Sequence, residues 1–381
     1  MEDEKLKYII SNTTGLNKEA MAAAKVRVDS LAKPLGSLGK LEDIAIKFAG
    51  ITGKIKNSIN KKCIIIMASD NGVVEEGVAS APQSVTLAQT INFSRGLTGV
   101  AVLAKKNNCD LKVVDIGVNT DKKIPGAIDR KIRKGTYNIV KGQAMSYDEC
   151  VKAINIGIEI AKKAYDEGYN VLGVGEMGIG NTTTSSSVLV SLSGCSVKEA
   201  VGKGAGITKD AFEKKKWVVS EAIRVNEPNE RDPIDIVAKV GGFDIAGMIG
   251  VFLGAAYYKL PIVIDGFISA VAALSAVRIN PLVREYLIPS HCSKEIGYNI
   301  AMKGLNLEPM VNLDMRLGEG SGCPIAFSIV EFSLAMMNNM ATFNEAEIND
   351  DYLDEVRGEE NYIVFHFSFL NHYLNLLLNI S

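Results

Sequence analysis

Only three histidines occur in 381 residues, and two of them, His366 and His372, fall within the last sixteen. No H-x-x-x-H spacing exists, which disfavours a histidine-built metal centre. The six cysteines, Cys63, Cys109, Cys150, Cys195, Cys292 and Cys323, stand far apart without a C-x-x-C pair. That spacing argues against a disulfide framework or a structural zinc site and reads as reduced thiols of a cytoplasmic protein. Long apolar runs are also missing. The opening Met-Glu-Asp-Glu-Lys lacks the apolar core of a signal peptide, and the longest apolar stretch of the body, 245–258, stops after 14 residues at Lys259. It suits a buried helix, so no membrane span is expected. Charge of one sign is absent too. The 42 basic and 44 acidic residues give a net charge of −2, which disfavours nucleic acid or a membrane surface as partner. Small molecules or another subunit are the expected partners, and the length suits one large α/β domain with an annex or two ordinary domains.

Glycine is what the chain has in surplus: 35 residues, about 9% against an average near 7%. Leu41, Ile44, Phe48 and Ile51 recur at helical spacing after a break at Lys33-Pro34-Leu35-Gly36-Ser37-Leu38-Gly39. Strands are expected at 63–68, 111–115, 170–174 and 261–265, each an apolar run without strict alternation, as when helices cover both faces of a parallel sheet. Capping boxes at Ser146-x-x-Glu149 and Ser196-x-x-Glu199 announce helices between them. The alternation predicts a doubly wound, Rossmann-like α/β sheet whose ligands gather beyond the carboxyl ends of the strands.

Glycine clusters follow those strands. Gly173-Val174-Gly175-Glu176-Met177-Gly178-Ile179-Gly180-Asn181-Thr182-Thr183 fits the dinucleotide fingerprint G-x-G-x-x-G. However, no strand ending in an acid follows about twenty positions on, and Glu176 would face a pyrophosphate. The stretch also imitates a P-loop with Asn181 in the lysine position, which disfavours NTP hydrolysis. A monophosphate cradled by backbone N–H groups and a helix starting near Asn181 stands beside the plainer reading of a tight turn without a ligand. Gly202-Lys203-Gly204-Ala205-Gly206 precedes a helix starting near Thr208 with Lys214, Lys215 and Lys216. Such a run usually marks a solvated face, with one lysine available to turn inward toward a phosphate. In Arg316-Leu317-Gly318-Glu319-Gly320-Ser321-Gly322 a carboxylate stands where a turn would favour Asn or Asp. In an apolar pocket it would be a general base near neutral pH. Ser69-Asp70-Asn71-Gly72, Ile264-Asp265-Gly266 and Ser290-His291-Cys292-Ser293 complete the candidates. With no acid spaced to orient it, His291 reads as a structural or supporting hydrogen-bonding residue rather than a triad member.

Together these motifs resemble the nicotinate-nucleotide:dimethylbenzimidazole phosphoribosyltransferase family. The resemblance covers 22–344 and rests on the Lys33–Gly39 motif, Asp70 with Gly72 and Gly77-Val78, and Gly96-x-Thr98-Gly99. It continues through Gly175–Gly178 with Asn181-Thr182-Thr183, Gly241-Gly242-Phe243-Asp244, Asp265-Gly266-Phe267 and Arg316–Gly322. It implies a Rossmann-like catalytic domain at 61–325, a small helical domain from 1–60 and 326–350, a homodimer, and a reaction without metal or cofactor. In that reaction the phosphoribosyl group of nicotinate mononucleotide passes to dimethylbenzimidazole. The implied catalytic residues are Glu319 as base and Glu176 facing the ribose. The implied phosphate and ribose contacts are Gly178, Gly180, Asn181, Thr182, Gly204, Lys215, Asp265 and Ser293, with Gln89, Leu317, Asn71 and Ala81 at the base. Asn71, Leu35, Thr184 and Ala81 depart from the family's commoner histidine, proline, proline and serine. The changes at 71 and 81 leave dimethylbenzimidazole, benzimidazole, adenine or a phenol open as acceptor. An oxidoreductase and a non-catalytic nucleotide-binding module are the competing classes. The end of the chain, 351–381, is an extension without an assigned role.

Overall fold

The computed structural model describes residues 2–353 apart from Ala205, so nearly all of the 351–381 extension lies outside the described residues. Six strands form one wholly parallel sheet: β1 (Lys62–Ser69), β2 (Cys109–Gly117), β3 (Ile128–Asp129), β4 (Val171–Met177), β5 (Ile262–Ile264) and β6 (Leu287–Pro289). Their spatial order is β3-β2-β1-β4-β5-β6, the doubly wound arrangement expected from the alternation of runs and helices. Each of the four expected runs contains a strand. Strands β3 and β6 were not expected: β3 has two residues, and the three of β6 lack the longer apolar run, 261–265, that marked the equally short β5.

The unbroken apolar runs reflect burial on both faces. Alternate side chains of β1 feed different cores: Cys63, Ile65 and Met67 pack with the helices Tyr147–Asp166, Phe243–Tyr257 and Phe267–Ile279. Ile64, Ile66 and Ala68 point the other way, toward Val100, Phe93 and Phe327. A third cluster joins Ala24, Val28, Ala45 and Ala49, from the helices Lys18–Ser30 and Lys40–Thr52, to Met337 of the helix Cys323–Asn339. Both capping boxes form, at Ser146 and Ser196. The 245–258 run is the buried helix Phe243–Tyr257, and among the described residues no helix is long and apolar enough to cross a membrane.

β4 runs further than expected, to Met177, so Gly173 and Gly175 sit inside a strand, paired with Ile64 and Ile66 of β1. The turn begins only at Gly178.

The helices Tyr147–Asp166 and Phe243–Tyr257 cross almost backbone to backbone. A Cβ at Gly250 would lie 1.9 Å from the Ile154 carbonyl oxygen, and one at Gly157 would lie 2.0 Å from that of Gly247. Neither neighbour can yield without moving a helix. Gly250→Ala is therefore expected to destabilise the fold by roughly 1–3 kcal/mol or more. An unchanged urea midpoint would contradict this packing.

Candidate active site

The strand order reverses between β1 and β4, and there the two loops leaving the sheet separate and open a crevice. A cavity of about 310 Å³ lies at this end of the sheet. Its wall includes Gly175 to Thr182 at and beyond the end of β4, Asp265 to Ser269 after β5, His291 and Ser293 after β6, and the turn 316–319.

The turn arrives with an unusual backbone. Gly318, Glu319 and Gly320 have φ of +83°, +63° and +88°, a conformation that glycine accepts freely and glutamate rarely adopts. Asp265 holds it there: Gly320 N–H donates to Oδ2 at 3.0 Å and Gly322 N–H to Oδ1 at 2.6 Å. The Glu319 carbonyl then lies against Gly175, where a Cβ would come within 2.3 Å of it. That glycine therefore makes room for protein backbone, which explains it without a dinucleotide.

The Glu319 side chain accepts from Gln89 Nε2 and from Val100 N–H, each at 3.3 Å, at the start of the helix Gly99–Lys106. Burial raises its pKa, while the N–H groups of Val100 and Gly99 and the Gln89 amide oppose the rise. The pocket is thus less apolar than expected. Its carboxylate is supplied with donors yet remains a stronger base than an exposed glutamate.

Glu176 is buried as well. Its Oε1 accepts Glu319 N–H at 3.3 Å, and its Oε2 accepts the Asn181 side-chain amide. The same Asn181 nitrogen donates to Asp244 Oδ2 at 3.1 Å. Burial, and then the charge of Asp244, push Glu176 up to about 8, while burial raises Asp244 to about 6 and Asp265 to about 7.

At the other end Lys215 turns inward, 1% exposed, with Nζ donating to Thr182 Oγ1 at 2.9 Å and to the Gly202 carbonyl at 3.1 Å. Its neighbours Lys214 and Lys216 stay outside on Glu76 and Glu213. Burial lowers Lys215 to about 8, against the pull of Glu295. Gly204 and Thr182 share this corner, the helix Asn181–Ser193 begins beside it, and Ser293 also lines the cavity, close to Gly266.

Gly178, Gly180, Asn181, Gln89 and Ala81 also line the cavity, and Leu317 stands at its rim, 58% exposed. Asn71 does not reach it. Its side chain is wholly buried beside Asp244 and next to Gly178. His291 Nδ1 lies 3.0 Å from Ser290 Oγ and 4.0 Å from Asp265 Oδ1, so an acid does stand near it, one that sequence spacing could not reveal. Ser290 Oγ donates to the Asp265 carbonyl at 2.9 Å and is no exposed nucleophile. Asp244 and Glu295 received no role from the sequence. Asp244 lay within a quoted motif, whereas Glu295 carries no local signal.

The fold and cavity define the class: doubly wound α/β proteins whose ligands lie beyond the carboxyl ends of the strands. A phosphoribosyltransferase family model matches residues 13–348. The nicotinate-nucleotide–dimethylbenzimidazole phosphoribosyltransferase of Clostridium perfringens is 61% identical over 359 residues, covering 94% of this chain and 99% of that protein. Its namesake from Clostridium acetobutylicum is 53% identical over 343 residues, covering 90% and 97%. Among solved structures, CobT from Thermus thermophilus superposes with a TM-score of 0.83 at 34% identity, covering 87% of this chain and 99% of that one. The chain belongs to the nicotinate-nucleotide–dimethylbenzimidazole phosphoribosyltransferase family.

The raised pKa of Glu176 has a consequence for stability. A carboxyl at about 8 when folded, against about 4.3 unfolded, favours the fold at acid pH, and that contribution is lost as pH rises through the interval. Glu176→Gln should therefore raise the urea midpoint more at pH 8 than at pH 5. An equal effect at both would contradict the burial of an ionisable group here.

Proposed function

We propose that this chain transfers the phosphoribosyl group of nicotinate mononucleotide to 5,6-dimethylbenzimidazole or a related base. The products are nicotinate and α-ribazole 5′-phosphate, used to assemble the lower-ligand nucleotide of cobalamin. Homodimeric assembly, a cytoplasmic location and the division of the chain at 60, 325 and 350 belong to the same proposal. The observation that carries it is one cavity lined by Glu176, Glu319 and the buried Lys215. The 61% identity to a protein named for this reaction supports the choice of substrates.

In this reading the 5′-phosphate is held by Lys215, Thr182, Gly204 and Ser293, and an ammonium and the start of a helix both favour an anion there. The ribose then reaches toward Glu176 and Asp265. The acceptor lies against Gln89, Ala81 and Leu317, with one ring nitrogen directed at the anomeric carbon. Its lone pair forms the new C–N bond as the bond to the pyridinium nitrogen breaks with inversion, and the leaving electron pair neutralises that ring. Glu319 takes the proton from the other ring nitrogen. Glu176, ionised beside the cationic sugar, offsets oxocarbenium-like charge, and positioning supplies the rest. Because Asn71 is wholly buried, Ala81 is the departure from the common pattern that faces the acceptor.

Incubation with nicotinate mononucleotide and dimethylbenzimidazole should yield α-ribazole phosphate and nicotinate by mass spectrometry. Binding of the mononucleotide without any product, whichever base is supplied, would leave only a binding module. Glu319→Gln should lower turnover by about 10²- to 10⁴-fold with the fold intact. Since the base acts as a carboxylate, wild-type activity should fall on acidification with a midpoint above that of an ordinary glutamate. Lys215→Met should raise KM for the mononucleotide about 10- to 100-fold, the loss of one charge-assisted bond. An unaltered KM would remove Lys215 from the phosphate.

A further inference from the structure

Asp244 is fully buried and absent from the cavity wall, yet it shares a hydrogen-bond donor with a group that is on it. It lies in the first turn of the helix Phe243–Tyr257, where its Oδ1 accepts Ile245 N–H at 3.0 Å. Its Oδ2 accepts one hydrogen of the Asn181 amide at 3.1 Å, and Glu176 Oε2 accepts from the same nitrogen. A primary amide has two N–H bonds, so one NH₂ group serves both acids. With a carboxyl group on each side, a flipped amide would set its oxygen against Asp244 and withdraw its two donors from both acids. The surrounding backbone is shaped to this arrangement. A Cβ at Gly242 would lie 2.3 Å from Asp244 Oδ1, and one at Gly178 would lie 2.7 Å from Asn71 Nδ2 and 3.1 Å from Asp244 Oδ2.

We propose that Asp244 is a positioning residue which, through the Asn181 amide, fixes the orientation of Glu176 toward the reacting ribose. This rests on the role proposed for Glu176. The groups facing Glu176 are Asp244, Asp265, the Asn181 amide and the N–H of Glu319, so carboxylates surround it and Asp244 is its largest charged neighbour. Removing that negative charge both frees the amide to flip and makes Glu176 easier to ionise. These are separable effects, one on geometry and one on pH.

Asp244→Asn keeps the size of the side chain and an oxygen to accept Ile245 N–H. It should lower kcat/KM for nicotinate mononucleotide on the order of 10- to 100-fold while leaving KM for the acceptor base unchanged. It should also change proton release on binding. Calorimetry of mononucleotide binding without acceptor, in buffers of different ionisation enthalpy, should show proton release near neutral pH in the wild type as Glu176 ionises against the cationic nicotinate ring. That release should be smaller in Asp244→Asn and smaller again in Glu176→Gln, the exchange at Lys215 and the phosphate being common to all three. A melting temperature measured alongside separates this from mere loss of fold: lower stability with unchanged proton release and unchanged kcat/KM overturns the positioning role. No mononucleotide binding by the wild type would instead overturn the functional reading beneath it.

Discussion

The carboxylate of Asp265 accepts two backbone N–H groups, from Gly320 and Gly322, and the site depends on that pair of bonds. The turn they hold passes through three residues of left-handed backbone, one of them a glutamate, which would relax if unsupported. Asp265 directly follows β5, so the turn is tied to the sheet itself. The same constraint presses the Glu319 carbonyl onto Gly175 of β4 and brings its N–H to Glu176. Three segments far apart in the chain are thereby closed around one crevice.

That closure concentrates acids. Glu176, Asp244 and Asp265 are buried with neutral amide and backbone donors as their hydrogen-bonding partners, so desolvation dominates and each holds its proton more tightly than in water. Lys215, the buried cation among the described residues that line the cavity, bonds to a hydroxyl and a carbonyl and has an acid of its own nearby, Glu295. The cavity therefore pairs a group of acids around Glu176 with a cation beside Thr182. Such a field suits a ligand with a phosphate at one end and a cationic ring near the other, as the proposed mononucleotide has.

Much of the architecture was legible because it rests on local pattern. Apolar runs marked four of the six strands, and Ser146-x-x-Glu149 marked a helix start that forms with both of its hydrogen bonds. Strands β3 and β6 lay in no apolar run long enough to read, and β4 was cut early because its glycines read as a turn when they serve close packing. The glutamate at 319 was visible as a residue ill suited to a plain turn, and φ of +63° is the physical form of that misfit.

By itself the sequence determined the class of sheet, the burial of the 243–257 helix and the presence of a lone carboxylate among glycines, since each depends on neighbours within a few positions. Only the tertiary structure decided which of three consecutive lysines turns inward, that Asn71 is wholly buried, and that Asp244 shares an amide with Glu176. Those outcomes depend on the register of strands and on contacts between residues distant in the chain, such as Asn181 with Asp244, 63 positions apart. No local pattern encodes such separations.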